Sequence, residues 1–258
     1  MNDVSDRQIL PAVVSYRLIK LLAVAIVLYL ALHLSGIYRF FFNDAEGIAT
    51  LLQIIGTLYS VVYAFAIYVI WGQFTAVENQ IVAEAGSLKD LLLFSNPLKP
   101  ATRDPVVRAV KSYSRSVVET EWKALSRGED TEKNSRLFAE VVSSVAAAVP
   151  EDETQRGISQ RLLEIANQSS IHRDERLALS VKRIPRTLML FVSTTASLIF
   201  FLIFFYPFHN LFLGLAAIVI TATLLFFAHF VLTDLDNPFE GTWNVSSKSF
   251  SDLITKFH

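Results

Sequence analysis

Gln53, Gly56, Ser60 and Tyr63 recur at spacings of three, four and three residues inside a long apolar run, so they share one helix face. Their chemistry is that of neutral dipoles: an amide, a bare backbone, a hydroxyl and a phenol. Inside a bilayer such groups need water or a hydrogen-bond partner. A water-filled path would satisfy Gln53, Ser60 and Tyr63 directly, which makes these four the candidate pore-lining residues. Thr57 and Ala64 flank the face. Close helix packing is the competing reading, because Gly56, Ser60 and Ala64 form a small-xxx-small pattern. The two roles are compatible on different parts of the face.

The remaining polar groups in or near apolar runs have simpler readings. Ser193, Thr194, Thr195 and Ser197 can bond carbonyls one turn back on their own helix. His33 and His229 fall near the ends of apolar runs, where a histidine reads as an interfacial residue, and Trp71 reads as an interfacial anchor. Glu78 and Glu84 follow Trp71; they would either ring a cation entrance in an oligomer or be solvated. Glu121-Trp122 reads as a buried Trp122 beside a Glu121 that faces water or a basic partner. Asp234, Asp236 and Glu240 lack the spaced glycine and distal Glu of a calcium loop. The five histidines show no metal-ligand spacing, and no phosphate loop, His-Glu-x-x-His or nucleophile elbow is present. No catalytic residue, metal or cofactor is therefore expected, and the chain is read as a non-enzyme.

The elements that must position the polar face are helices in a membrane. Of 258 residues, 52% are hydrophobic and 18% charged, against about 25% charge in soluble domains. Mean hydropathy is +0.42. A net charge of −1 offers no basic excess for nucleic acid, and the absence of cysteine excludes disulfides and thiolate chemistry. Leu21–Tyr38, Gly47–Val77 and Thr187–Thr233 are free of Asp, Glu, Lys and Arg. With about 20 residues needed per crossing, and Tyr206 to Asn210 as a turn, four membrane helices are predicted, roughly over 19–38, 48–71, 187–206 and 211–232. Arg7, Arg17, Lys20, Lys182, Arg183 and Arg186 flank these runs, whereas the two short connections hold only Arg39. The positive-inside rule then places both termini in the cytoplasm, in a multi-pass protein of the plasma (inner) membrane.

Between the second and third runs, residues 75–186 carry 17 basic and 16 acidic residues, a balance typical of solvated helix faces. The second membrane helix should continue unbroken to about residue 94. Asp104-Pro105 reads as an N-cap and first position, followed by the stripe Val106, Val110, Tyr113 and Val117, ended by Gly128. Thr131 caps a helix bearing Leu137, Val141 and Val145 that stops at Pro150. A long helix spans 152–184, with Glu151, Asp152 and Glu153 favouring its start. In the acidic, turn-rich tail, Ser246 or Ser247 caps a short helix whose face is Phe250, Leu253, Ile254 and Phe257. The fold class is all-α. The parts are 1–74 (N-terminal tail and two membrane helices), 75–186 (cytoplasmic helical domain), 187–232 (two membrane helices) and 233–258 (cytoplasmic tail).

Several segments together resemble the bestrophin-like family of integral-membrane proteins. They are Gly56 to Tyr59, Phe65, Trp71-Gly72-Gln73-Phe74, Glu84-Ala85 and Leu88; Tyr113 with Glu121-Trp122-Lys123-Ala124-Leu125; and Leu235 to Gly241 with Val245-Ser246 and Phe250. The resemblance spans about residues 48–257, and the tail is its most specific piece. It implies kinship with bestrophins, pentameric anion channels with four membrane helices per subunit and a pore lined by the second. In bestrophins an Asn-Pro-Phe-Gly stretch begins an acidic calcium clasp. Here Glu240 interrupts that stretch before Gly241, and Thr242 to Val245 replace the acidic run. Two functions follow as expectations: an oligomeric channel, pentameric by analogy and passing inorganic ions, anions among them, across the lipid bilayer; or a non-conducting scaffold or signalling protein whose helical domain binds a partner.

Overall fold

The structure, a computed structural model, describes residues 3–37, 44–129, 132–148 and 152–256, with side chains from residue 14 onward. The described residues are helical or irregular, with no strand among them. In chain order the helices are α1 (Asp3–Ser35), α2 (Ala45–Ser95), α3 (Pro100–Ser116), a π-helical turn (Val117–Glu121), α4 (Trp122–Arg127), α5 (Glu132–Ala146), α6 (Glu153–Ser180), α7 (Arg186–Phe205), α8 (Leu211–Leu235) and α9 (Lys248–Lys256). The chain divides into two compact units, Met1–Trp71 with Ile184–Asp236, and Gly72–Arg183 with Asn237–His258. α2, with no proline or positive-φ glycine in its 51 residues, contributes to both.

The first unit holds helices long and apolar enough to cross a membrane: Val14–Ser35 of α1, the start of α2, α7 and α8. These four spans make the chain an integral membrane protein. Most of their side chains face outward; Leu34, Tyr68 and Phe212 are more than three-quarters exposed, as befits helices whose solvent is lipid. α1 packs on α8 and α7 on α8, around Ala25, Tyr29, Phe204 and Ile218. Gly214 lets α1 approach: a Cβ there would overlap the phenol of Tyr29 and lie 3.2 Å from Cβ of Phe208. The turn after α7 closes as its composition indicated, with Asn210 Oδ1 accepting from the amides of Phe212 and Leu213. At the other end Asp236 Oδ1 accepts the Ile184 amide at 2.7 Å, just before Pro185 caps α7. Thr195 and Ser197 donate to the carbonyls of Phe191 and Ser193, the self-satisfied state expected of them.

The second unit is a helical bundle in which α3 packs on α5 and α9, and α5 on α6. Its core runs from Val77, Ile81 and Leu88 of α2 through Val110, Val141 and Leu162 to Phe250 and Leu253 of the tail. Two boundaries differ from expectation. α3 starts a turn early, with Lys99 as cap and Pro100 in the first turn, so Pro105 lies inside the helix and Asp104 pairs with Arg103 instead of capping. A proline in the first turn sacrifices no amide that the helix could use, a rule that Pro100 and Pro105 each satisfy as a start, so it does not by itself choose between them. α6 ends at Ser180, four residues short of the expected 184, while Asp152 caps its start by accepting from Gln155. Gly128, at φ 67°, closes α4 as read from the sequence. The expected cap at Thr131, the stop at Pro150, and Phe257 lie outside the described residues.

The tail enters the second unit through Asn237, whose amide donates to the Ser126 carbonyl at 2.8 Å. Val245 then donates to Pro238 at 2.8 Å, and Gly241, at φ 93°, makes the intervening turn. Ser246 Oγ accepts from Lys248 at the start of α9, which buries Phe250 and Leu253 and half-buries Ile254.

Candidate functional site

On the membrane part of α2, Gln53 and Ser60 are exposed and Gly56 is half-exposed, with nothing within 4 Å of where a Cβ would stand. Between Gln53 and Ser60 the chain's own helices therefore do not pack onto this face. Thr57 and Ser60 turn their hydroxyls to the carbonyls of Gln53 and Thr57, which leaves the Gln53 amide as the strongest dipole of the stripe. Tyr63 behaves differently. It is half-buried, stacks on Tyr59 at 5.7 Å and donates to the Ala228 carbonyl of α8 at 3.2 Å. Its hydroxyl ties α2 to α8.

A second polar constellation lies inside the other unit. Arg176 of α6 and Glu84 of α2 are both completely buried, and Arg176 Nε donates to Glu84 Oε2 at 2.6 Å. Nη2 of the same guanidinium donates to Glu121 Oε2 and to the Tyr113 hydroxyl, each at 3.3 Å. Tyr113 donates to Glu84 Oε1 at 2.5 Å. Asn134 donates to Glu121 Oε2 at 2.8 Å and accepts from Ser116 at 2.6 Å. Arg173 lies over Phe138 and donates to Ser135. Five buried polar atoms find no hydrogen-bond partner among the described residues: Ser114 Oγ, Ser169 Oγ, Glu121 Oε1, Arg173 Nε and Arg176 Nη1.

The electrostatics follow from this geometry. Burial works against the charge of Arg176, but Glu84, Tyr113 and Glu121 outweigh it and hold the guanidinium above its ordinary value. Burial first, and then the Glu84 carboxylate, push the Tyr113 phenol well above its usual range, so it stays a donor. The oxygens of Glu84, Tyr113 and Glu121 thus converge on a cation that the chain supplies itself.

One sequence expectation is corrected here and another in part. Glu84 neither rings an entrance nor meets water; it is fully buried on Arg176, while Glu78 is exposed. Of the consecutive pair, Glu121 is the more deeply buried, at 1% exposure, and Trp122 is half-buried. The basic partner that the sequence allows Glu121 is Arg176. Sequence patterns single out neither Arg176 nor Asn134. The signal for Arg176 is on α6, where Ser169, Arg173, Arg176 and Ser180 recur at spacings of four, three and four, continuing the buried stripe of Leu162, Ile165 and Ala166. An apolar template reads such a stripe as solvent-facing. Asp236 and Glu240, weighed for calcium, are engaged with the Ile184 amide and with Asn237.

A family model described as the Bestrophin-like domain matches residues 18–250. No curated protein matches the chain significantly. Among solved structures, a substitution variant of a bacterial bestrophin homologue from Klebsiella pneumoniae superposes with a TM-score of 0.74 at 12% identity, over 93% of this chain and 97% of that one. Another crystal structure of a Klebsiella pneumoniae bestrophin homologue gives 0.71 at 11% identity, over 93% and 97%. A structure described as a membrane protein gives 0.70 at 12% identity, over 92% and 94%. At such identities these likenesses establish the fold: the all-α bestrophin architecture.

Proposed function

Because the chain belongs to the Bestrophin-like domain family, we propose that it is an oligomeric ion channel whose α2 helices surround the conduction path, with Gln53, Gly56 and Ser60 facing it and Tyr63 bracing each α2 against α8. The observation that supports this reading is the uncovered polar stripe. Gln53 and Ser60 stand exposed on a membrane-spanning helix, and neither side chain is covered by the rest of the chain. Ser60 spends its proton on the Thr57 carbonyl, but the Gln53 amide is a bare dipole, costly in hydrocarbon, so water or further copies of the chain must cover it, and an axial pore provides both. Five copies is the number that the family resemblance implies. The basic residues Arg17, Lys20, Lys182, Arg183 and Arg186 support cytoplasmic termini in the plasma membrane. With no Arg or Lys on the stripe, anions would be passed by amides, hydroxyls and ring edges.

The test is ion flux through purified protein in liposomes. Wild type should conduct. Ser60→Asp adds one negative charge per subunit on the axis, so anion flux should fall and cation flux rise relative to it. Ser60→Cys, in a chain without native cysteine, should react with a water-soluble thiol reagent. No flux from well-folded wild type, together with an unreactive thiol, overturns the channel in favour of a scaffold packed dry along α2.

A further inference from the structure

The π-helical turn Val117–Glu121 lies between the buried ionic cluster and the docked tail, and its existence follows from residue arithmetic. Beside the buried Ser114 and Ser116, one buried stripe runs through α3 to α4 along Val106, Val110, Tyr113, Val117, Glu121 and Leu125, at spacings of four, three, four, four and four. A regular helix turns about 100° per residue, so the last of these would be rotated by about 100° from the first, one residue's worth. A π-turn absorbs one extra residue and returns Glu121 and Leu125 to the stripe.

Nothing local demands this turn: it contains neither glycine nor proline. Tertiary ties hold it at both ends. Ser116, just before it, donates to Asn134 at 2.6 Å, and Glu121, its last residue, accepts from Asn134 and Arg176. Trp122, the next residue, meets Phe239 and Phe250 edge-on at 5.2 and 6.2 Å, and its Nε1 donates to the Val245 carbonyl at 3.4 Å. Consecutive residues thus face the ionic cluster and the tail.

We propose that this turn is a register switch that couples the Glu84–Arg176–Glu121 cluster to docking of the tail. Withdrawing Glu121 from Arg176 lets the turn relax to α-helix, which rotates the short α4 by about 100° and carries Trp122 off Phe239 and Phe250. In the other direction, lifting the tail uncovers Arg176, because Phe250 lies 5.7 Å over its guanidinium. Glu121 Oε1 and Arg176 Nη1, without a hydrogen-bond partner among the described residues, make the cluster releasable, since these atoms are not satisfied even when it is closed.

Amide hydrogen exchange on the full chain in detergent tests the coupling. In wild type, segments 117–122 and 245–253 should open together, and Glu121→Gln should speed exchange in both by a common factor of about ten, the value of one charged hydrogen bond, with α5 unchanged. Deleting Val118 restores spacings of four, three, four, three and four. In that background the tail should stay protected and no longer respond to Glu121→Gln. Acceleration confined to 117–122, an equal response of the tail in the deletion background, or acceleration throughout the bundle each overturns the proposal. Should Glu121→Gln fail to fold, wild type decides alone: the two segments must show one opening enthalpy across temperature, and two independent openings overturn the switch.

Discussion

The ring of Phe250 lies over the guanidinium of Arg176, 5.7 Å from centroid to Cζ, with both side chains wholly buried. The tail therefore supplies the wall that keeps water off the ion pair with Glu84. Phe250→Ala removes that wall and leaves a cavity, and the expected loss is about 3–5 kcal/mol. It should exceed the loss for Leu253→Ala, which shares the helix face but not the cation. Denaturant or thermal unfolding of the purified protein provides the comparison; equal losses would mean that the ring only fills space.

Arg176 is the sole guanidinium bonded to Glu84 and Glu121 among the described residues, so its removal should be severe. Arg176→Met leaves two buried carboxylates without their cation, and a cost of about 3–5 kcal/mol is expected. Adding Glu84→Gln to that variant should recover part of the loss, because the penalty comes from an uncompensated charge more than from missing contacts. A double variant no more stable than the single one would contradict this.

Tyr113 links the cluster to pH. Its phenol pKa is raised in the fold, above the ordinary 10.0, by burial and then by Glu84. The folded state keeps the proton where the unfolded state has lost it. The stability from this group is thus complete below pH 10 and is lost progressively as pH rises from there through the folded value. Tyr113→Phe should cost about 1–3 kcal/mol at neutral pH, through the hydrogen bond lost to Glu84. Its stability should also fall less steeply above about pH 10 than that of wild type. Unfolding midpoints from about pH 7 to 11 give both readings.

Gly214 sets how closely α1 approaches α8. Gly214→Leu would thrust a side chain into the space of the Tyr29 phenol, which is 3% exposed. Overpacking of this kind is expected to cost about 1–3 kcal/mol. Combining it with Tyr29→Ala should recover most of that cost, as read by thermal stability in detergent. No recovery would place the clash at Phe208 instead.

The all-α class, the four spans and the long α2 are legible in the sequence because apolar runs and the absence of proline report directly on helix length. The tail helix is legible for the same reason: Phe250 and Leu253 lie where a 3.6-residue period puts them. The start of α3 is ambiguous because Asp104-Pro105 and Lys99-Pro100 both carry a start signal, and only packing separates them. The ionic cluster is invisible because Arg176 and Glu84, 92 residues apart, each look like a surface residue alone. Burial of a charge is a property of the pair. The π-turn is written in the four-four-four spacing that runs from Tyr113 through Val117 and Glu121 to Leu125, but that spacing includes Glu121, which an apolar template skips.

The discontinuity of the second unit fixes an order of manufacture. Residues 72–183 leave the ribosome well before 237–258, and α7 and α8 must be made in between. Through that interval Arg176 has its carboxylates but not Phe250. The bundle can be sealed only once the last two spans have been synthesised, so a chain whose α7 or α8 fails to complete keeps an open, wettable core. Quality-control proteases that recognise exposed apolar surface would then meet an unfinished bundle whenever synthesis or insertion stalls.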